Sequence, residues 1–245
     1  MKNKSVQERI FERVNPHIWQ WDYLGLKPLL ENIKNFSKKA NSENVKNILD
    51  LGCGTKPYES FFPFAEKFIG FDVEKNERVD FVGFNWDLPF QNNEFDALIS
   101  TQVLEHTAKI SETVQEIRRV VKAGGLIYVS VPLTFPEHGI PYDFYRFTRF
   151  GLREIFKDFE VIKIEPHNGY LATLFRLWST FLNYFPGAKY FLFPIFFVNN
   201  SFGIFFDKFF LIFFGKSKIP VLREFYEKLY MGFTESYSIV LRNKK

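Results

Sequence analysis

A glycine-rich turn follows a short apolar segment near residue 50, and this arrangement constrains the fold more than any other feature. The sequence from Asn47 to Tyr58 reads NILDLGCGTKPY, so aliphatic residues and one acid precede two closely spaced glycines. A short apolar run of this kind suits a strand buried in a parallel sheet. Glycine adopts backbone angles that other residues avoid, and it lets a ligand approach the main chain. Because open α/β sheets bind ligands where a strand ends and its loop begins, the sequence predicts a nucleotide-type site here.

The spacing within this turn excludes two common phosphate-binding motifs. A dinucleotide fingerprint, G-x-G-x-x-G, needs a third glycine where this chain has Pro57. A P-loop needs Gly-Lys-Ser/Thr, whereas Lys56 is followed by proline. The acid Asp50, two residues before the first glycine, points instead to a ligand that carries an amine. An ordinary strand–turn–helix with glycines at a tight bend is the alternative interpretation.

Length, charge and cysteine content restrict the class of protein. A chain of 245 residues suits one domain, or one domain with a sizeable insertion. The net charge of +4 is mild, and no arginine–lysine stripe interleaved with aromatic residues indicates a nucleic-acid partner. The single cysteine, Cys53, excludes an internal disulfide and fits a reducing compartment. The N-terminal segment MKNKSVQERIFERVN is too polar for a signal peptide, so we expect a cytoplasmic protein.

Alternating strand and helix patterns predict an α/β fold with a doubly wound, mostly parallel sheet. Strands are expected at residues 47–51, 67–73, 79–84, 95–100, 126–131, 160–165 and 236–242, and helices at 16–39, 111–122 and 148–157. We expect Ser111 to cap its helix and Gly124-Gly125 to close it. The gap before the third strand is too short for a usual parallel crossover, so a helix is missing there or that strand is short. The last strand alternates enough for a sheet edge.

Several segments, in order, resemble the motifs of one enzyme family. They are DLGCGT from Asp50, the acid Asp72 about twenty residues later, FDALISTQVLEH from Phe95 and EIRRVVKAGGLIYVSVP from Glu116. Together they resemble the class I S-adenosylmethionine-dependent methyltransferases of type 11 over about residues 48–165. Ala123 replaces the proline usual in the last of these motifs. The resemblance implies a Rossmann-like seven-stranded sheet and S-adenosyl-L-methionine as cofactor.

The resemblance also assigns a set of cofactor contacts. Asp72 would accept hydrogen bonds from both ribose hydroxyls, although a loop acid that caps nearby amides is the alternative. Asp87 would face the adenine amino group and Leu88 would lie against the ring. Gln102 and Val103 would border the methionine part. The implied cofactor-binding residues are Asp50, Gly52, Cys53, Gly54, Asp72, Asp87, Leu88, Gln102 and Val103.

The segment HGIPYDFYRFTRFGL, from His138 to Leu152, follows the fifth predicted strand and should lie over the cofactor edge of the sheet. It is similar to a segment of methyltransferases from bacterial surface-polysaccharide and cell-envelope gene clusters. We expect an acceptor site that includes Tyr142, Tyr145 and Arg146. The alternative is structural, with Asp143 paired to Arg146 and Tyr145 packed. Candidate general bases for a hydroxyl acceptor are His106, His138 and Asp143, and no metal ligand set is expected.

Residues 170–232 form a predicted hydrophobic insertion between the last two strands. Residues 1–46 are expected to be N-terminal helices, 47–169 the cofactor-binding core and 233–245 the last strand, all within a single domain. Pro194 and Asn199-Asn200 interrupt the apolar sequence, so no unbroken run reaches the length of a membrane span. The helix expected near 202–214 is apolar nearly all round, which implies burial. It could serve as lid or core, as a dimer contact, or as a peripheral contact of 190–215 with the inner face of the membrane, where basic residues would meet anionic headgroups: Lys208, Lys216, Lys218 and Arg223.

Two functions therefore remain open at the level of the sequence. The first is an enzyme that methylates a small molecule or a glycan or lipid-linked acceptor by in-line displacement. The second is a non-catalytic protein of the same fold that acts in a membrane-associated assembly. Nucleic acid is not an expected partner, because Ser100-Thr101-Gln102-Val103 stands where many nucleic-acid methyltransferases have an N-P-P-Y-type motif.

Overall fold

The computed structural model describes residues 5–244, in which helices pack on a seven-stranded sheet. The strands are β1 Asn47–Leu51, β2 Lys67–Asp72, β3 Phe81–Val82, β4 Phe95–Thr101, β5 Val121–Pro132, β6 Phe159–Pro166 and β7 Ser236–Asn243. The helices are α1 Val6–Val14, α2 Tyr23–Ser42, α3 Ile110–Val120, α4 Arg149–Ile155, α5 Tyr170–Asn183, α6 Ala188–Phe191, α7 Phe193–Phe210 and α8 Pro220–Gly232.

The strand order is β3-β2-β1-β4-β5-β7-β6, and β7 alone runs antiparallel to its neighbours. The chain reverses its direction of progress across the sheet between β1 and β4, which is the position where doubly wound sheets form a crevice at the carboxyl ends of the strands. The predicted Rossmann-like, mostly parallel seven-stranded fold is confirmed.

Apolar side chains from both faces of the sheet form the core. On one face, α2 packs Ile33 and Phe36 against strand residues that include Ile48 and Tyr128. On the other face, α3 and α4 contribute a second cluster that includes Ile117. Burial of aliphatic side chains on both faces is the pattern expected of a central parallel sheet.

The position of β7 corrects the expectation of a sheet edge, because this strand lies between β5 and β6. Its alternation arises from small polar residues that are buried rather than solvated. Ser238 is 3% exposed, and its hydroxyl lies 2.7 Å from the Tyr128 hydroxyl and 2.8 Å from His167 Nε2. A buried polar residue whose hydrogen bonds are made inside the protein gives the same sequence pattern as a residue that faces water.

The N-terminal helices differ from the single region predicted at residues 16–39. Helix α1 begins earlier, where Ser5 and Glu8 form a reciprocal capping box. Helix α2 starts at Tyr23 and continues to Ser42 with Pro28 inside its first turns. The segment between the two helices contributes to a pocket described below.

Local elements around the glycine turn are shorter than expected. After the turn the chain forms only a 3₁₀ turn, Glu59–Phe61, and no α-helix lies between β1 and β2 among the described residues. Tyr58 and Phe62 are nearly fully buried beside α2, which holds this segment against the core. Strand β3 has two residues, and no helix lies between β2 and β3 among the described residues, as the short gap predicted.

The glycine pair Gly124-Gly125 belongs to a strand rather than to a helix end. Helix α3 ends at Val120 and β5 begins at Val121, and Ser111 lies inside the first turn without a capping role. A Cβ on Gly125 would lie 2.8 Å from the Asp96 carbonyl oxygen, at an irregularity in the β4–β5 register. Glycine is therefore required here by the close approach of two strands.

Helices α5 to α8 lie between β6 and β7, as the predicted insertion requires. Asn199 and Asn200 interrupt the apolar run in the sequence but not the helix, because α7 passes through both residues and continues into a π-helical turn at Leu211–Gly215. The resulting helix Phe193–Gly215 is the one helix in the described residues that is long and apolar enough to cross a membrane by length and composition. Most of it is exposed in the structure.

The central position of β7 makes a stability prediction. Ile239 is fully buried between Val129 of β5 and Ile164 of β6, so Ile239→Ala should lower the free energy of unfolding by about 2–5 kcal/mol. Ile162→Ala on the edge strand β6, where the side chain is 36% exposed, should cost less than about 1 kcal/mol. Urea denaturation measures both, and equal small losses would contradict a central β7.

Candidate functional site

A cleft of about 780 Å³ opens at the carboxyl ends of β1, β2 and β4. Its walls come from the glycine turn, the end of β2, the loop after β3, the segment after β4 and the loop after β5. The lining residues are Gly52, Asp72, Val73, Glu74, Phe84, Asn85, Trp86, Gln102, Val103, His106, Thr107, Ala108, Gly139, Tyr142 and Phe144. Gly52, Asp72, Gln102, Val103, His106 and Tyr142 are thus brought together as the sequence predicted.

The glycine turn is held against its neighbours at short range. Gly52 and Gly54 both have positive φ, +73° and +52°, and a Cβ on Gly52 would lie 2.3 Å from Val103 Cγ2. The N–H groups of Gly52 and Cys53 both donate to the Phe71 carbonyl oxygen, at 2.8 and 3.1 Å. No atom lies within 4 Å of a Cβ built on Gly54, so the backbone there faces open space where a ligand can approach.

Asp72 combines both roles that the sequence left open. Its Oδ2 accepts from Gly54 N–H at 2.8 Å and its Oδ1 accepts from Glu74 N–H at 3.0 Å, so it fixes the turn. It also lines the cleft, and each carboxylate oxygen keeps a further lone pair. The carboxylate is therefore oriented by the backbone and can still accept hydrogen bonds from ligand hydroxyls.

Asp50 lies beneath the glycine turn and does not line the cleft. It is 1% exposed, and neither carboxylate oxygen has a hydrogen-bond partner. Burial raises the pKa of Asp50 to about 8, against the opposing effect of nearby Lys56. A buried carboxylate without donors is costly, and an ammonium group bound at the turn is the type of donor that these oxygens lack.

The departure from the usual third glycine has a structural explanation that the sequence did not provide. Lys56 has a φ of +51°, is 7% exposed and forms an ion pair with Asp80. Its ammonium also donates to the Phe68 carbonyl oxygen at 3.3 Å, and the Asp80 carboxylate accepts from Gly70 N–H at 2.7 Å. Lys56 therefore joins the glycine turn to β2 and to the segment before β3.

Besides Asp50 and Gly54, three of the predicted cofactor residues are not among those that line the cleft. Cys53 is buried beneath the turn, where burial raises the pKa of its thiol, and packing accounts for its position. Leu88 is 4% exposed in the core, and its N–H donates to Glu116 Oε2 at 2.8 Å. Asp87 is exposed and is not among the lining residues.

The residues just before Asp87 form this wall instead. The rings of Phe84 and Trp86 stack with centroids 4.6 Å apart and planes at 8°, and the Asn85 amide donates to the Thr107 hydroxyl at 3.2 Å. This aromatic platform offers a flat surface to a planar ring. The aromatic residues Phe84 and Trp86 are visible in the sequence, but the resemblance assigned the ring contact to Leu88, which lies two residues after Trp86.

Gln102 is oriented by its backbone at the end of β4. Its φ of +56° is unusual for a residue with a side chain. The main-chain N–H donates to the Ser130 carbonyl oxygen at 2.8 Å, and the side-chain amide donates to the Ser130 hydroxyl at 2.7 Å. Such strain is maintained at sites where the surrounding structure imposes it.

His106 and His138 face each other at the rim of the cleft. His106 Nδ1 lies 2.6 Å from the Tyr142 carbonyl oxygen, and His138 Nδ1 lies 3.1 Å from the Pro136 carbonyl oxygen. A carbonyl can only accept, so both Nδ1 atoms carry protons. In the neutral rings, both Nε2 atoms are therefore unprotonated, and they lie 3.1 Å apart.

The carboxylate of Glu105, beside this pair, was missed by sequence reasoning. Glu105 is fully buried, both of its side-chain oxygens lack a hydrogen-bond partner, and burial raises its pKa to about 8. Its Oε1 lies 4.0 Å from His106 Nε2. The surrounding sequence, STQVLEHT, is mostly polar, so no pattern in it marks this acid as buried.

Asp143 is held as a carboxylate by Arg146. Two hydrogen bonds of 2.7 Å from the guanidinium to Asp143 lower the pKa of this carboxyl group below its usual range. Arg146 also donates to the carbonyl oxygens of Phe135 and Pro136. This pairing is the structural alternative stated above, and it makes Asp143 a poor proton acceptor.

The other predicted acceptor residues differ in their surroundings. Tyr142 lines the cleft and is 66% exposed. Tyr145 is at the surface, and its hydroxyl donates to the Ala108 carbonyl oxygen at 3.4 Å. Arg146 lines none of the cavities described here, because its guanidinium is engaged by Asp143 and the loop backbone.

A second pocket, of about 330 Å³, lies beyond Gln102 and His106 and shares both residues with the cleft. Its walls come from α1, α2, α5 and the start of β7. A buried ion pair joins Arg176 Nε to Glu235 Oε1 at 2.9 Å, and the Arg176 guanidinium lies 4.7 Å from the Trp21 ring centroid. Its other charged or titratable lining residues are Arg13, Asp22, His138 and His167.

Comparisons with known proteins agree with this geometry. Residues 49–129 match the family model of a methyltransferase domain. The match spans 81 of the 245 residues and is to a methyltransferase domain. The matched residues include the glycine turn, Asp72, the aromatic platform and the Glu105–His106 segment.

Two curated relatives match less than half of this chain, and each match covers less than half of the relative. An uncharacterized methyltransferase of Schizosaccharomyces pombe is 26% identical over 125 residues, which is 41% of this chain and 42% of the relative. An uncharacterized protein of Methanocaldococcus jannaschii is 32% identical over 91 residues, 34% of this chain and 43% of the relative. The chain spans less than half the length of these curated relatives.

Solved structures share the fold of this chain. The crystal structure of a candidate methyltransferase from Bacillus halodurans C-125 superposes with a TM-score of 0.54 at 16% identity, covering 88% of this chain and 100% of the other. This similarity concerns the architecture of the sheet and its helices.

The geometry of Asp72 makes a binding prediction. Asp72→Ala should weaken binding of S-adenosylhomocysteine at least tenfold, since a hydrogen bond to a charged group contributes about 1.5–3 kcal/mol. Isothermal titration calorimetry measures the affinity. Asp158→Ala is the matched control, because Asp158 is exposed just before β6, at the opposite edge of the sheet. Unchanged affinity of the Asp72 variant would contradict this assignment.

Proposed function

We propose that the protein transfers a methyl group from S-adenosylmethionine to a hydroxyl oxygen of a small polar acceptor, such as a glycan or lipid-linked sugar. The observation that carries this proposal is the shared wall between the two cavities. Gln102 and His106 line both the cofactor cleft and the second pocket. A cofactor in the first cavity and an acceptor in the second would meet at these residues.

The arrangement suits in-line displacement. S-adenosylmethionine supplies a methyl group attached to a positively charged sulfur. The acceptor oxygen forms the new C–O bond as the C–S bond breaks, the sulfur keeps the bonding electron pair, and the hydroxyl proton must be removed. The His106–His138 pair stands where that proton would leave, with its Nε2 atoms unprotonated. Orientation of the acceptor by the second pocket would supply most of the remaining rate enhancement.

The lining of the second pocket supports a polar acceptor. Arg13, Asp22 and Glu235 offer hydrogen-bond donors and acceptors, while Trp21 and Phe135 offer aromatic faces. Sugars present hydroxyl groups at their edges and C–H groups on their faces, so this combination fits them. Arg13 is held by its hydrogen bond to the Tyr58 hydroxyl at 2.9 Å, which keeps the pocket wall ordered.

A third pocket extends this path towards the insertion. It has a volume of about 530 Å³ and shares Arg13, Trp21 and Asp22 with the second pocket. Phe196 of α7 lines its other side. An acceptor attached to a lipid could therefore extend from the α7 side into the second pocket.

Helix α7 supports peripheral contact with a membrane, because its two asparagines, Asn199 and Asn200, face inward. The Asn199 amide donates to the Phe175 carbonyl oxygen and to the Ser179 hydroxyl, at 2.7 and 2.8 Å. The Asn200 amide donates to the carbonyl oxygens of Ile18 and Gln20, both at 2.7 Å. The outer face is apolar instead, through Phe193, Ile195, Phe197, Val198, Phe202, Phe205, Phe209, Leu211, Ile212 and Phe213.

An apolar surface of this extent is unusual for a protein surrounded by water. Exposed basic residues surround it, namely Lys208, Lys216, Lys218 and Arg223. Trp178, Tyr184 and Tyr190 are also exposed at this end of the molecule. Amphipathic aromatic rings and cationic side chains beside an apolar face are typical of segments that insert into the headgroup region of anionic membranes.

A transfer assay tests the proposed function. Protein supplied with methyl-labelled S-adenosylmethionine and an envelope extract should label a glycan or lipid-linked product, identified by mass analysis. Asp72→Ala should reduce labelling at least tenfold, and Asp158→Ala should not. Failure to bind S-adenosylhomocysteine would favour the non-catalytic alternative, whereas binding with labelled protein or nucleic acid as sole product would overturn the proposed acceptor class.

Flotation with liposomes tests the membrane contact. The wild-type protein should float with anionic vesicles, and Phe205→Glu/Phe213→Glu should abolish flotation because two charges enter the apolar face. Phe11→Glu/Phe150→Glu is a matched control on rings that are 62% and 67% exposed outside α5–α8. A monomeric wild-type protein that stays in the soluble fraction would contradict membrane contact, and a dimer that loses association with the first variant would assign the face to self-association.

A further inference from the structure

The facing histidines and the buried acid beside them form a cluster that the methyl-transfer proposal uses only in part. Ligand atoms of Glu105, His106 and His138 lie within 4.8 Å of one another. Two of these residues lie on the turn after β4, and the third lies in the loop after β5. The cluster therefore joins two segments at the rim of the cofactor cleft.

The hydrogen bonds of the two imidazoles leave both Nε2 atoms of this cluster unprotonated, and this favours the binding of a cation. Both Nδ1 atoms donate to backbone carbonyls, of Tyr142 and Pro136, so both Nε2 lone pairs point at each other across 3.1 Å. Two lone pairs at this distance repel unless a positive species lies between or beside them. Metal-bound histidines show the same arrangement, since the second ring N–H almost always donates to a carbonyl or carboxylate.

Glu105 provides the second, independent observation. Its side chain is fully buried, and neither oxygen has a hydrogen-bond partner among the residues that the structure describes. Its backbone carbonyl accepts from Phe144 N–H at 2.8 Å and Tyr145 N–H at 3.2 Å, which fixes the residue. A buried, unpartnered carboxylate directed at two bare imidazole nitrogens is an arrangement that a divalent cation would satisfy.

We propose that Glu105, His106 and His138 bind one divalent transition-metal ion, such as Zn²⁺. Two imidazoles and one carboxylate are a ligand set used by catalytic zinc, which keeps its fourth position open. Tetrahedral coordination with Zn–N bonds of about 2.0–2.1 Å puts two nitrogens about 3.3 Å apart, close to the 3.1 Å between the Nε2 atoms. A small rotation of Glu105 would bring its Oε1, now 4.0 Å from His106 Nε2, into the same shell.

The open coordination position would face the junction of the two cavities, because His106 lines both and His138 lines the second. An ion held there would bind an acceptor oxygen and lower the pKa of its hydroxyl group, as bound metals do for water. Because both Nε2 atoms would then be bound to the ion, the hydroxyl proton would be released to solvent, and the ion would replace the histidine pair in the role given to it above. This role rests on the proposed methyl transfer, whereas the metal site itself does not. The inference narrows the acceptor to one that offers an oxygen ligand to the ion.

Metal titration of the purified, chelator-treated protein tests the site. Calorimetry with Zn²⁺ should give one site per chain, and Co²⁺ should produce the visible absorption bands of a four-coordinate ion. Glu105→Gln and His138→Gln should each weaken Zn²⁺ binding at least about tenfold, and His17→Gln, whose ring stacks on Trp19 away from the cluster, should not. Zn²⁺ should also raise the Tm of the wild type and not that of Glu105→Gln.

The variants are expected to fold, since glutamine keeps the size and shape of the buried Glu105 side chain. Absence of Zn²⁺ and Co²⁺ binding, or binding unaffected by both cluster variants, would overturn the metal site. A proton shared between the two Nε2 atoms, observed by NMR in a protein that binds no metal, would overturn it too. S-adenosylhomocysteine binding measured on the same samples separates this outcome from a failure of the proposed function.

Discussion

The close contact between Gly52 and Val103 determines where the two central strands of the site end relative to each other. Any side chain at Gly52 would overlap Val103, so the turn after β1 and the segment after β4 meet without a gap. The Phe71 carbonyl ties the same turn to β2, and Asp72 caps it. On the side of the glycine turn, the cofactor cleft is therefore bounded by backbone that is held through short contacts.

A second consequence of these contacts is the position of the segment after β4. Its first residue, Gln102, has a positive φ and is held by Ser130. The chain thus turns sharply, and Glu105 and His106 follow in a single 3₁₀ turn, Leu104–His106. The segment after β4 therefore contributes a wall of the cofactor cleft and a wall of the second pocket. It also contributes two ligands of the proposed metal site, Glu105 and His106.

Sequence reasoning located the parts of the site that depend on one strand end each. Asp72 ends β2 and Gln102 and Val103 follow β4, so the strand pattern places them at one edge of the sheet, and the family resemblance assigned them to the cofactor. It did not locate Arg176 and Glu235, because a pocket assembled from α5 and the start of β7 depends on tertiary packing that local patterns do not encode. It also misread α7, since Asn199 and Asn200 looked like breaks in an apolar run and are instead the residues that attach the helix to the protein.

Asp143 illustrates how a residue can matter to the chemistry without exchanging a proton. Its carboxylate accepts from Arg146 and from the His138 N–H at 2.9 Å, and Arg146 in turn donates to the Pro136 carbonyl. That same carbonyl accepts from His138 Nδ1 and so determines which nitrogen of this imidazole is bare. The Asp143–Arg146 pair is therefore a positioning element, because it fixes the loop whose carbonyl groups turn both Nε2 atoms towards each other and towards Glu105.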